Sequence, residues 1–183
     1  MTDGGRAVDS GIEAVYASPL ERAAATARPT ALALGLDVIS DPRLMEINAG
    51  EFEGMLWAEM RNAYPEDAAR WIAQEADYRP PGGESRRELG ERGVAALRAS
   101  GGRGSGWVAV VAHGGVLSAA IKSLMGVPAG RNPISLVNAS LSRIRMGEPF
   151  KLETLNVTGH LDGMASRFVG DGSDLGEDRD VVV

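Results

Sequence analysis

Residues 107–126, WVAVVAHGGVLSAAIKSLMG, decide the fold. WVAVVA at 107–112 is a continuous apolar run rich in valine, the pattern of a buried strand. His113, Gly114 and Gly115 then make a tight turn into a helix that ends near Gly126, ahead of Pro128. In open α/β folds, ligands bind at the carboxyl ends of strands. A helix N-terminus at the same place favours an anion. His113 is therefore a candidate functional residue, against the plainer reading of a histidine that only caps the turn.

The same grammar repeats upstream. IEAVYA at 12–17 reads as a short buried strand, followed by SPLE. Ser18 can cap a helix, Pro19 suits its first position, and Glu21 can close a capping box. That helix is predicted to reach Leu34, with Gly35 ending it. Arg22 lies in its first turn, again at a strand's carboxyl end. A guanidinium there can hold phosphate oxygens bidentately, with the helix dipole helping. The alternative is a surface arginine beside Glu21. LDVI at 36–39 is a second short strand, and 41–55, DPRLMEINAGEFEGM, reads as an irregular acidic loop. Glu46 in that loop is a candidate general acid. Glu51 and Glu53 read as solvated.

Helices are predicted near 56–63, 65–76 and 84–99, and strands near 135–146 and 150–155. The alternation of strands and helices argues for a parallel or mixed sheet covered by helices. GGRGSG at 101–106 precedes a strand and lacks the Gly-Lys-Ser/Thr ending of a P-loop, so it reads as a turn. His160, isolated in TGHL, reads as structural.

Composition narrows the function classes. With 183 residues and 44% hydrophobic content, the chain suits one domain with a real core. The expected division is a single domain at 1–169 and an acidic disordered tail at 170–183. A net charge of −6 without a basic stripe argues against nucleic-acid binding. There is no cysteine, hence no thiolate metal site or disulfide. No apolar run approaches a membrane span, and the N-terminus lacks an apolar signal core, so a cytoplasmic protein is expected.

These pieces resemble a family. SPLERAAATA at 18–27 is similar to the Ser-x-Leu-x-Arg-Ala-x-x-Thr-Ala signature of histidine phosphatases (phosphoglycerate-mutase-like proteins). DPRLMEINAGEFEG at 41–54, PPGGES at 80–85, VAVVAHGGVL at 108–117 and NVTGHL at 156–161 resemble further elements of that family, in order and with suitable spacing. The resemblance implies an α/β fold, with a mostly parallel sheet flanked by helices on both faces. It implies phosphoryl transfer from small phosphate esters through a phosphohistidine, with no metal and no cofactor. By motif, Arg22 would bind the phosphate, with Ser18 and Gly114 beside it. Glu46 would protonate the leaving oxygen, and His113 would be the second histidine.

One departure from the pattern matters. Family members begin with a strand ending in Arg-His-Gly, whose histidine is the nucleophile. None of the 17 residues before Ser18 is histidine. MTDGGRA at 1–7 resembles the next element, Leu-Thr-x-x-Gly-Arg-x-x-Ala. The expectation is a domain truncated at its N-terminus and lacking its first, interior strand. The strand edges left beside WVAVVA would invite pairing with a second chain, so a homodimer is expected. Four readings follow. The chain is a phosphomonoesterase acting on a small phosphorylated metabolite, impaired by loss of its nucleophile. It is a non-catalytic phosphate-binding or interaction module. It is a phosphoglycerate-type mutase. Or its start is misplaced, and a longer product is the enzyme.

Overall fold

Apart from Glu13 near its start, β1 (Ile12–Ala17) carries only small or apolar residues, so it can be covered on both faces. The computed structural model describes residues 11–101 and 106–162. The expectations for 1–7, for most of GGRGSG and for the tail at 170–183 fall outside them. Strand β1 lies between β2 (Val38–Ser40) and β3 (Trp107–Val111), and both neighbours run parallel to it. Val15 and Ala17 of β1, with Ala109 and Val111 of β3, face helix α1 (Glu21–Leu34). They meet Ala27 and Ala31 there, part of a stripe of small residues that lets the helix lie close to the sheet. Tyr16, Val108 and Val110 point the other way, towards Leu44 and Ala96 of helix α4 (Arg86–Gly101). The period of two thus puts helices on both faces, as expected.

Helix α1 ends as its sequence says. Gly35 adopts a left-handed φ of 67°, and Leu36 N donates to Ala31 O at 2.9 Å. Its start departs from expectation. Ser18 does not cap the helix; Leu20 occupies the cap position, without a side-chain hydrogen bond. The serine stands two residues earlier and is used elsewhere, as described below.

The acidic segment read as an irregular loop has some regular structure. It forms two short 3-10 turns, Pro42–Leu44 and Gly50–Phe52. Leu44, Ala49 and Phe52 are buried, and Phe52 packs edge-on to Trp71 at 6.2 Å. Met60 of α2 (Trp57–Ala63) and Ala68 and Trp71 of α3 (Pro65–Ile72) complete this second core. The helix predicted to reach residue 76 stops at Ile72. Gln74 takes a left-handed φ of 55°, and no glycine signals it.

Helix α5 (Gly114–Leu124) packs on α4 through two glycines. A Cβ at Gly93 would lie 3.0 Å from Ala120 Cβ and 3.1 Å from Val116 Cγ2. One at Gly90 would lie 2.6 Å from Ser123 Oγ. Strands β4 (Leu141–Arg145) and β5 (Lys151–Val157) form a separate antiparallel pair. The strand expected from residue 135 begins only at Leu141. Residues 135–137 are tied instead by the Asn156 side chain, which accepts from Val137 N at 2.8 Å and donates to Ser135 O at 3.3 Å. Arg143 stacks over the Trp107 ring at 4.4 Å and joins this pair to β3. Among the described residues, the edge of β3 away from β1 carries no strand. No helix among them is long and apolar enough to cross a membrane.

The glycine seam makes a prediction. Gly93→Val should lower stability by about 2 kcal/mol through overpacking against α5. Urea unfolding would show this as a reduced midpoint at unchanged slope. An unchanged midpoint would mean that the helices can part without loss.

Candidate functional site

The site begins with a hydrogen bond between backbones. Ser18 N donates to Val111 O at 3.0 Å, and Asp41 N donates to Ala17 O at 2.9 Å. The parallel register sets Ala17 opposite both Ser40 and Val111. All three strands therefore end at one level. The residues that follow them converge there.

His113 is 7% exposed. Its Nε2 lies 2.8 Å from Ser18 Oγ, and Arg22 Nε donates to its Nδ1 at 3.2 Å. A nitrogen that accepts carries no proton, so the ring proton sits on Nε2 and is donated to Ser18. Ser18 Oγ also accepts from Leu20 N at 3.2 Å. The imidazole is thus neutral, with both nitrogens engaged. Burial holds its pKa below the ordinary histidine value. The Glu46 carboxylate opposes that shift, while the Arg22 and Arg92 charges add to it.

Glu46 sits on the first turn of α5. Gly115 N donates to its Oε2 and Val116 N to its Oε1, each at 3.1 Å, and its neighbour Ile47 N donates to Oε1 at 2.9 Å. This is the place where a helix N-terminus holds an anion. A Cβ on Gly115 would collide with the Glu46 carboxylate, so the close approach requires glycine.

The loop that carries Glu46 is held by residues the sequence reading did not single out. Arg92 donates through Nε and Nη2 to the Glu84 carboxylate at 2.8 and 2.6 Å. Nη1 donates to Arg43 O and Met45 O, both at 2.7 Å, and Nη2 also reaches Glu46 O at 2.9 Å. These are five bonds from a guanidinium with five N–H groups. Glu84 in turn accepts from Asn48 N at 2.9 Å. Gly83 lies so close that a Cβ would be 2.6 Å from Asn48 O. The PPGGES and acidic segments are therefore zipped together. Glu84 belonged to a recognised motif, but Arg92 had no sequence signal, because three of its bonds go to backbone carbonyls.

The structure thus brings Ser18, Arg22, Glu46 and His113 together at the ends of β1 and β3, with Gly114 opening α5 beside them. Glu51 and Glu53 are exposed. His160 Nε2 lies 2.9 Å from Ala139 O, in the segment between β5 and the end of the described chain. Among the described residues, no group of three His, Asp or Glu side chains is placed to hold a metal ion.

The chain is also similar to known proteins. The sequence profile of the histidine phosphatase superfamily (branch 1) matches residues 4–158. Phosphoserine phosphatase 1 of Hydrogenobacter thermophilus is 35% identical over 155 residues, spanning 82% of this chain and 72% of that protein. The probable phosphoglycerate mutase GpmB of Escherichia coli is 33% identical over 172 residues, spanning 87% and 78%. Among solved structures, Bacillus stearothermophilus YhfR superposes with a TM-score of 0.76 at 25% identity, covering 85% of this chain and 78% of that one. The mycobacterial glucosyl-3-phosphoglycerate phosphatase, in complex with VO3, gives 0.66 at 29% identity and coverages of 80% and 77%. The relatives are phosphatases and mutases, which supports phosphoryl transfer as the activity.

Two predictions come from this geometry. Arg92→Ala leaves a mostly buried Glu84 carboxylate with no countercharge, bonded only by Asn48 N, and takes the guanidinium from three carbonyls. It should cost on the order of 3 kcal/mol in chemical unfolding; a cost near zero would show that the clamp does not hold the loop. The second concerns pH. A histidine whose folded pKa is depressed is protonated first in the unfolded chain. Its contribution is therefore present above the unfolded value of about 6.5 and is lost as pH falls below it. The melting temperature of the native chain should fall more between pH 7 and 5 than that of His113→Gln. Parallel decline of the two would remove His113 as the cause.

Proposed function

We propose a function from one premise: the chain belongs to the histidine phosphatase superfamily. Its pocket is a phosphate-monoester site of the phosphomonoesterase type, taking a small phosphorylated metabolite. The observation that carries this reading is the meeting of Arg22, His113 and Ser18 at the mouth of the α5 N-terminus. An incoming phosphoryl group is held by the Arg22 guanidinium and by the first-turn N–H groups of α5. Glu46 now occupies Gly115 N and Val116 N, so phosphate and Glu46 compete for the same donors. Displaced by phosphate, the Glu46 carboxyl stands beside the ester, and in its protonated form it can pass that proton to the leaving oxygen as the ester P–O bond breaks. His113 donates from Nε2 and helps hold charge that develops on the phosphoryl oxygens.

The attacking group is a separate matter. Transfer through a phosphohistidine needs an imidazole nitrogen free to form a bond to phosphorus as the ester P–O bond breaks. Both nitrogens of His113 are engaged, and the only other histidine of the sequence, His160, bonds Ala139 O. These 183 residues therefore supply the phosphate pocket and the acid, and turnover by them alone is impaired.

The test has two arms. Inorganic phosphate should raise the melting temperature of the chain, with a gain of about 2.7 kcal/mol at a hundredfold excess over Kd. Arg22→Ala should abolish that gain. Hydrolysis of p-nitrophenyl phosphate in the presence of EDTA should stay near background. No thermal response to phosphate would overturn the pocket. Robust turnover, lost in His113→Ala and accompanied by phosphohistidine trapped at His113, would overturn the impairment.

A further inference from the structure

A cavity of about 350 Å³ opens beside Gly114 and Gly115 and runs along α5 towards Lys122. Gly114, Ser118 and Lys122 line it at intervals of four residues, as one face of a helix must. Lys122 is 7% exposed and is one of only two lysines in the chain. Its Nζ donates to Asn132 Oδ1 at 2.9 Å, which uses one of three N–H groups. Arg86, from the first turn of α4, lines the same cavity. It is half-buried, its guanidinium lies 4.6 Å over the Trp71 ring, and it donates to Trp71 O at 3.0 Å.

These two cations have no carboxylate partner among the described residues, and no Asp or Glu lines the cavity. Elsewhere in the molecule the habit is different. Arg28, Arg43, Arg70, Arg87, Arg92 and Arg145 each bond a carboxylate. Withdrawing a charge from water without pairing it is costly. Burial pushes the Lys122 pKa down and the nearby Arg86 charge pushes it further; burial lowers that of Arg86 as well. A chain with net charge −6 has carboxylates to spare, yet it leaves two neighbouring cations facing an open volume.

We propose that Arg86 and Lys122 form a second anion subsite, which takes an anionic group carried on the same small molecule whose phosphoryl group sits at Gly114–Gly115. The group is a carboxylate or a second phosphate. The inference rests on the phosphate pocket proposed above and adds to it the class of substrate: a phosphate ester with a second negative charge. Gly115 and Lys122 are separated by about 10 Å along the helix axis. Helical side chains lean towards the N-terminus, which shortens that span for the ammonium group. A bridging ligand is therefore only a few carbons long. Asn132 anchors one Lys122 N–H and leaves two for the ligand.

Calorimetric titration with four probes tests this. They are inorganic phosphate, phosphoethanolamine, phosphoserine (phosphoethanolamine plus a carboxylate) and propanediol bisphosphate. Phosphoserine or the bisphosphate should bind about tenfold tighter than phosphoethanolamine, the gain expected of one charge-assisted contact. Whichever gains identifies the second group. In Lys122→Met and Arg86→Met that advantage should shrink towards parity. Melting temperatures control for folding, and Lys122→Met, which removes a buried charge, should melt no lower than the native chain. Equal binding of phosphoethanolamine, phosphoserine and the bisphosphate to the native chain would overturn the subsite and leave the phosphate pocket standing. An advantage that survives in both variants would also overturn it. Failure of all four probes to bind would overturn the phosphate pocket, and this inference with it.

Discussion

The bond from Ser18 N to Val111 O is the joint on which the site depends. Parallel strands cannot be linked by a hairpin, so their ends are brought level only by their ladder. Here β1 and β3 are separated by some ninety residues of chain, yet they finish together. Ser18, the first residue after β1, and His113, the second after β3, meet there. A slip of one position between these strands would turn alternate residues to the wrong face. Ser18 and His113 would then part. The alanine stripe of α1 and the Tyr16–Leu44–Ala96 cluster hold the register by giving each face of the sheet its own complement.

A second layer of support acts at right angles to the first. Glu46 reaches α5 from a segment with little regular structure, so its position has to be imposed from outside. Phe52 fixes one end of that segment in the core between α2 and α3. Arg92 fixes the other by gathering the carbonyls of residues 43, 45 and 46 around one guanidinium. The arginine thereby converts a flexible stretch into a rigid bracket, at the cost of burying a charge that Glu84 neutralises. Gly83 marks the place where two backbones touch, and Gly115 the place where the Glu46 carboxylate meets the backbone of α5.

Much of this was legible in the sequence, and the limits have physical causes. Strand β3 and its turn into α5 were legible because burial on both faces and a glycine turn are local signals. Gly35 was legible for the same reason. Ser18 was misread as a cap: the local pattern is that of a cap, and the competing partner, His113, lies 95 residues away. The acidic segment reads as irregular because it has no periodicity, and nothing local marks Leu44, Ala49 and Phe52 as its buried anchor. Helix α3 stops early, two residues before a glutamine in a left-handed conformation that no local sequence signal announces. Arg92 and the Arg86–Lys122 pair were invisible for a common reason. Their meaning lies in what surrounds them in space, and among the arginines of this chain nothing local sets them apart.

The carboxylate of Glu46, seated on the first turn of α5, also sets the terms on which any other anion can enter. It is an intramolecular ligand, and a tethered group presents itself at an effective concentration that can reach the millimolar range for short tethers. Solution anions must exceed that local supply or bind better than a carboxylate does. In the proposed pocket, stray sulfate, chloride or acetate at ordinary concentrations would be discriminated against without any steric gate. With Glu46 on these donors, arrival of another anion would be an exchange and not a simple capture. Selectivity in the proposed pocket would thus begin with a threshold written into its own loop.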